Sequence, residues 1–261
     1  MRIVVCIKQV PETQDVRLDP ETHTLKREGV KAVINPFDLY AVEEGLRLKE
    51  ARGGEVILLS MGPPQAEAAL REALGYGADR AVLLSDKAFA GADTWATALT
   101  LARAVEKLVG ADLIFTGKQA IDGDTAQVGP MLATILGIPY VAWARKVEAA
   151  APGRLAVERL LDHGYDLVEV DLPAVLSVVK EINEPRVPSF KAKLKAKKDP
   201  VPVWGLADLG FPAAAVGLAG SFTQVVKVFP PPARGESQVW TGPAKELAAR
   251  LWQRLQKLEL T

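Results

Sequence analysis

Short apolar runs at 3–7, 55–60, 81–84 and 112–116 recur through the first half of the chain. Runs of this length without polar alternation predict strands buried on both faces, as in a parallel sheet. Between them, the segments 41–51, 65–76, 94–109 and 125–136 place apolar residues at three- and four-residue spacing, the period of helices that bury one face. Alternation of the two predicts right-handed crossovers on both faces of an open, mainly parallel α/β sheet, Rossmann-like in type, with the ligand crevice beyond the carboxyl ends of the strands. The loops that could carry chemistry are then 8–13, 61–64, 85–93 and 117–124.

Past Tyr140 the pattern turns to extended pieces, including 165–170 and 175–179, which predict an added antiparallel hairpin or sheet edge. The stretch 183–204 has prolines at 185, 188, 200 and 202 and the basic run KAKLKAKK. That is poor core material, and it predicts an exposed arm. After the break at 230–232, residues 243–258 form an amphipathic helix with Leu247, Leu251, Leu255 and Leu258 in one stripe. A lone helix beyond a proline linker is marginal by itself, so it packs either on another chain or back on its own domain. The expected division is a nucleotide-binding domain with its antiparallel extension at 1–182, an arm at 183–204 and a C-terminal arm and helix at 205–261.

Charge changes this picture little. The 261 residues carry 32 basic and 32 acidic side chains, leaving no net field to steer the chain toward nucleic acid or an anionic membrane. KAKLKAKK beside Phe190 reads as a solvated run or as a docking patch for an acidic protein surface with Phe190 as apolar anchor, in preference to a nucleic-acid grip. The single cysteine, Cys6, lies in the first apolar run and can form neither an internal disulfide nor a cysteine-rich metal site. With no bilayer-length apolar stretch and no signal-peptide flank, the expectation is a soluble, cytoplasmic protein without membrane insertion.

Two strand-to-helix loops end alike, in Gly91-Ala92-Asp93-Thr94 and in Gly123-Asp124-Thr125. Asp and Thr are good N-caps, and the free N–H groups of a helix start attract anions. The pair reads either as ordinary caps or as a seat for phosphate or pyrophosphate, with Lys118, Gln119 and Asp122 offering polar contacts. Neither a Walker pattern nor GxGxxG is present. His23 and His163 have no metal-ligand companions in sequence and are expected at the surface. No catalytic nucleophile, acid or base declares itself.

The segments GKQAIDGDTAQVGP, INPFDLYAVEEGLRLKE and NEPRVPSFKAKLKAKK, together with VVCIKQVPET, DKAFAGADTWAT and GLAGSFTQVVKVFPPP, resemble the hallmarks of electron-transfer flavoprotein β subunits over nearly the whole chain. The resemblance implies a heterodimer whose α subunit holds the redox-active FAD. In that arrangement the β subunit binds a second adenine nucleotide, AMP in one branch and FAD in the bifurcating, NADH-oxidising branch. Nucleotide contacts implied in this way fall on Cys6, Lys8, Asn35, Ser60, Met61, Gly117, Lys118, Gln119, Ala120, Ile121, Asp122, Gly123, Asp124 and Thr125. A second flavin would add Asp93, Thr94 and Thr97, with Ala98 standing where a serine is often found. Phe37 would lie toward the α-subunit FAD, and the C-terminal arm would wrap onto that subunit. Partner dehydrogenases would be recognised by Glu184, Arg186 and Phe190, the last at a position where leucine is frequent. The alternative class is a stand-alone adenine-nucleotide-binding module of the universal-stress or ATP-pyrophosphatase type.

Overall fold

The computed structural model describes residues 1–12, 32–226 and 237–258. They fall into two compact units, Met1–Val226 and Lys227–Thr261. In the first unit, β1 (Arg2–Cys6), β4 (Glu55–Met61), β5 (Arg80–Leu84) and β6 (Leu113–Gly117) arise from the apolar runs, joined by α1 (Pro36–Arg52), α2 (Glu67–Leu74) and α3 (Thr94–Lys107). The chain continues through α4 (Val128–Leu136), β7 (Tyr140–Ala151), β8 (Arg154–Leu161), β9 (Gly164–Asp171) and β10 (Ala174–Val178). It then forms α5 (Phe190–Ala196), β11 (Val203–Trp204) and the short α6 (Leu206–Leu209). A separate antiparallel pair joins β2 (Gln9–Pro11) to β3 (Ala32–Ile34).

The main sheet runs β11-β5-β4-β1-β6-β10-β7-β8-β9. Pairing is parallel from β11 to β7 and antiparallel in β7-β8-β9. Helices α1 and α2 cover one face over Ile3, Val5, Leu58 and Phe115, and α3 and α4 cover the other over Val4, Ile57, Val82 and Ile114. Both faces of the central strands are therefore dry, which is why their sequences show no polar alternation. From β1 the chain winds outward through β4 and β5, then returns to lay β6 on the other side of β1. That reversal is the topological switch point, where the carboxyl ends of open α/β sheets leave a crevice.

Three expectations are corrected. The segment 175–179 was expected in the antiparallel extension, but β10 is a fully buried parallel strand between β6 and β7. A run whose one polar residue, Ser177, accepts from the Tyr140 hydroxyl and Trp143 N–H is otherwise apolar and needs cover on both faces, which the sheet interior supplies. Helix α4 begins at Val128 with Gln127 at its N-cap and no side-chain cap bond, so Asp124 and Thr125 do not cap it. Asp124 instead has φ 54°, as does Ala126, and this left-handed turn delays the helix. The basic stretch 183–204 is only partly exposed: Ala196 is buried, and β11 pairs with β5 at the sheet edge.

In the second unit α7 (Ala244–Lys257) forms as the periodicity predicts. Leu251 and Trp252 on it and Leu258 at its C-cap are about half exposed, and Arg250 lies over the Trp240 ring at 4.3 Å. His163 sits exposed in the β8–β9 turn, while His23 and the 230–232 break lie outside the described residues. No described helix is long and apolar enough to cross a membrane.

Candidate functional site

At the switch point, β1 ends in Cys6, and Lys8 follows one residue beyond buried Ile7. The Lys8 ammonium group reaches across to the loop after β6 and pairs with Asp122 at 2.7 Å. Asn35, buried just before α1, fixes the same loop from the other side. Its Nδ2 donates to the Gln119 carbonyl (2.8 Å), and its Oδ1 accepts from Ile121 N–H (3.2 Å). Gln119 in turn donates to the Asp124 carboxylate. The loop thus holds Lys118 to Thr125 in one fixed arrangement, with Asp122 to Thr125 exposed at its rim. Two non-glycine residues at positive φ within nine positions mark it as locally strained, a condition that persists only where the surroundings over-determine it.

At the carboxyl ends of the central strands are hydroxyls that no described residue satisfies. Ser60 near the end of β4, on the face covered by α1 and α2, and Thr116 near the end of β6, on the opposite face, are buried, and among the described residues neither Oγ has a hydrogen-bond partner. A buried orphan hydroxyl is costly and needs an explanation such as a bound polar group. Cys6 lies beside Thr116 in register. Burial, followed by the nearby Asp38 carboxyl, pushes its thiol up to about 12, so it is a neutral, unreactive wall. Met61 is half-buried at the next position along β4. Phe37, also half-buried, packs so closely on β6 that a Cβ at Gly117 would lie 2.8 Å from its own.

The third loop behaves differently. Asp93 caps α3 by accepting from Ala96 N–H at 3.0 Å, as expected for its type. Its second oxygen accepts from both the backbone N–H and the hydroxyl of Thr223, while Asp93 N–H donates to Ser221. The carboxylate therefore pins the segment 221–223 to the start of α3, and burial is outweighed by these bonds, which hold Asp93 below the usual carboxylate range. Thr94 donates to Gln127 at 3.0 Å and so joins the third loop to the fourth. Thr97 follows within α3, half-buried.

Two residues at the site escaped sequence reasoning. Asp38, in the first turn of α1, accepts from Lys8 N–H, Gly117 N–H and Asn35. Trp143, on β7, takes φ 59° and carries Lys118 Nζ 5.1 Å above its ring. An acid in the first turn of a helix is ordinary, and nothing in a strand pattern marks one tryptophan, so neither had a sequence signal.

The arm residues occupy a separate place. Arg186 is bound to Glu43 and Glu50 of α1, and Asn183 donates to Glu44 and to the Tyr40 carbonyl. Glu184 is exposed, and its carbonyl accepts from Arg47. Phe190, capped into α5 by Ser189, is 77% exposed.

This geometry defines a doubly wound α/β domain with its loops gathered at the switch point. Comparison with known proteins carries the assignment further. The electron transfer flavoprotein domain profile matches residues 22–209. The chain is 50% identical over 256 residues to the electron transfer flavoprotein subunit beta of Thermoanaerobacterium thermosaccharolyticum, covering 98% of each. It is 46% identical over 259 residues to the caffeyl-CoA reductase-Etf complex subunit CarD of Acetobacterium woodii, again 98% of each. With protein FixA of Azorhizobium caulinodans it shares 46% over 272 residues, covering 99% of this chain and 96% of the relative. The chain belongs to the electron transfer flavoprotein family, among its β subunits.

Proposed function

We propose that this chain binds an adenine nucleotide at the β1/β6 switch point. With an α subunit that holds the redox-active FAD, it carries electrons in the cytoplasm between dehydrogenases and a downstream acceptor. The observation that carries the reading is the convergence of Lys8, Asn35 and the 117–125 loop at the carboxyl ends of β1 and β6, where the Thr116 hydroxyl is left unsatisfied among the described residues. That hydroxyl suits the ribose or base of a nucleotide, which both donates and accepts. The first turn of α4, open at its N-terminus for want of a side-chain cap, suits its phosphates.

The nucleotide proposed is FAD, as in the bifurcating branch. Its support is the resemblance of DKAFAGADTWAT to the segment that branch uses, and the Thr94–Gln127 bond that brings the third loop beside the fourth. Asp93 serves this arrangement by fixing the start of α3, and Thr94 and Thr97 are the hydroxyls offered from that helix. A flavin here would supply hydride acceptance from NADH and one-electron release, which AMP cannot. Phe37 faces the α-subunit flavin in this reading, and the segment 183–204 presents Phe190 to partner dehydrogenases. Nucleotide extracted from the purified native αβ complex tests it: two FAD per complex and no AMP are expected. One FAD with one AMP would reject the second flavin, and FAD alone at one per complex would reject nucleotide binding by this chain.

A further inference from the structure

Asp38 is only 6% exposed, yet its carboxylate is the meeting point of three separate segments. Oδ2 accepts from Lys8 N–H at 2.7 Å, just past β1. Oδ1 accepts from Gly117 N–H at 3.2 Å, at the end of β6, and from Asn35 Nδ2 at 2.9 Å, at the entry to α1. Asn35 passes the restraint on to Gln119 and Ile121, and Lys8 passes it to Asp122. A side chain at position 117 would run into Asp38 Oδ1 and Phe37, so the glycine is what lets the β6 backbone come within reach of the carboxylate.

We propose that ionised Asp38 is the positioning residue of the nucleotide loop, holding Lys8, Asn35 and residues 117–122 in the binding arrangement without itself touching the ligand. The inference rests on the nucleotide-binding reading above. Its chemical basis is donor and acceptor matching. Among the described residues the groups bonded to the carboxylate are two backbone N–H groups and an amide nitrogen, all donors, and an ionised carboxylate only accepts. A protonated Asp38 places an O–H among groups that cannot receive it, and the brace loosens.

Proton uptake lies in an accessible range. Burial pushes Asp38 up to about 7, against the lowering effect of the bonds from Asn35, Lys8 and Gly117 and of the Lys8 ammonium charge. The other charged or titratable groups facing it are Asp122, paired with Lys8, and Cys6, whose thiol burial keeps neutral. Lys118, next to Gly117, lies over the Trp143 ring.

The test uses the full-length chain co-produced with its α subunit, stripped of nucleotide and titrated separately with AMP and with FAD from pH 6 to pH 8. If only the ionised form binds, wild-type affinity rises about tenfold across that range for a group titrating near 7. Asp38→Asn is expected to lose this slope and to bind at or below the wild-type pH 6 level. Comparison with wild type for the same probe cancels titration of the AMP phosphate. Gly117→Ala, which displaces the carboxylate from outside, is expected to weaken binding at every pH. A flat wild-type profile overturns the inference without any variant, as does an Asp38→Asn protein that keeps both affinity and slope. Failure of wild type to bind either probe at any pH would instead remove the nucleotide-binding reading, and this inference with it.

Discussion

Asp38 sets stability against site geometry. Its folded value near 7 stands above the ordinary 3.8, so from about pH 4 to 7 the folded chain keeps a proton that the unfolded chain has released. Stability from this group is full below the ordinary value and is lost as pH rises through the folded one. Asp38→Asn cannot titrate. The unfolding free energy of wild type relative to Asp38→Asn is therefore expected to fall between pH 4 and 7 and to level off above, by on the order of 4 kcal/mol at most. Urea titrations of both proteins across that range measure it, and a pH-independent difference would contradict the assignment. The residue pattern concealed this role because burial of Asp38 depends on β1 and β6, and Gly117 is 79 positions away. The position of Lys8 and of the loop after residue 117 at the carboxyl ends of β1 and β6 was, by contrast, legible in the alternation of strands and helices, whereas Asn35 was pointed to by family resemblance alone.

Among the elements, α1 joins two motifs that look independent in sequence. Its VEEGLRLKE face buries Glu43 and Glu44, which an amphipathic pattern would have sent to solvent, and the NEPR segment supplies their partners. Although burial alone would raise it, Glu43 is held below the usual carboxylate range by bonds from Arg186 and Arg47. Burial raises Glu44, whose side-chain donor among the described residues is the Asn183 amide. The clamp thus fixes the root of the segment that carries exposed Phe190. Arg186→Ala leaves a buried acid short of its cation and is expected to destabilise the fold by roughly 2–3 kcal/mol, below the fully buried case because the guanidinium is partly solvated. Phe190→Ala is expected to change stability by less than about 0.5 kcal/mol. It should nonetheless weaken electron transfer to a partner dehydrogenase by about 2 kcal/mol, as loss of an interface anchor does, with flavin content unchanged. Urea unfolding and stopped-flow transfer kinetics separate the two, and unaltered kinetics for Phe190→Ala across several dehydrogenases would remove it from the interface.

At the scale of the whole molecule, local periodicity reveals which segments are strands and helices but not the order in which strands pair. The insertion of β10 between β6 and β7 pairs it with β6 residues about sixty positions away, and no neighbouring residue announces it. The same gap between local pattern and assembly applies to the second unit. Helix α7 and its C-cap keep Leu251, Trp252 and Leu258 about half exposed, and a 14-residue helix is marginal in water without an apolar surface to cover its stripe. The first unit has two dry faces beneath its own helices and a complete core of its own. Removal of residues 243–261 is therefore expected to leave the thermal unfolding of the α/β unit within a few degrees of the full-length chain while reducing recovery of the αβ complex on size-exclusion chromatography. A truncated chain that assembles normally with its α subunit would show that the leucine stripe is covered elsewhere, and one that fails to fold would show that the tail belongs to the core.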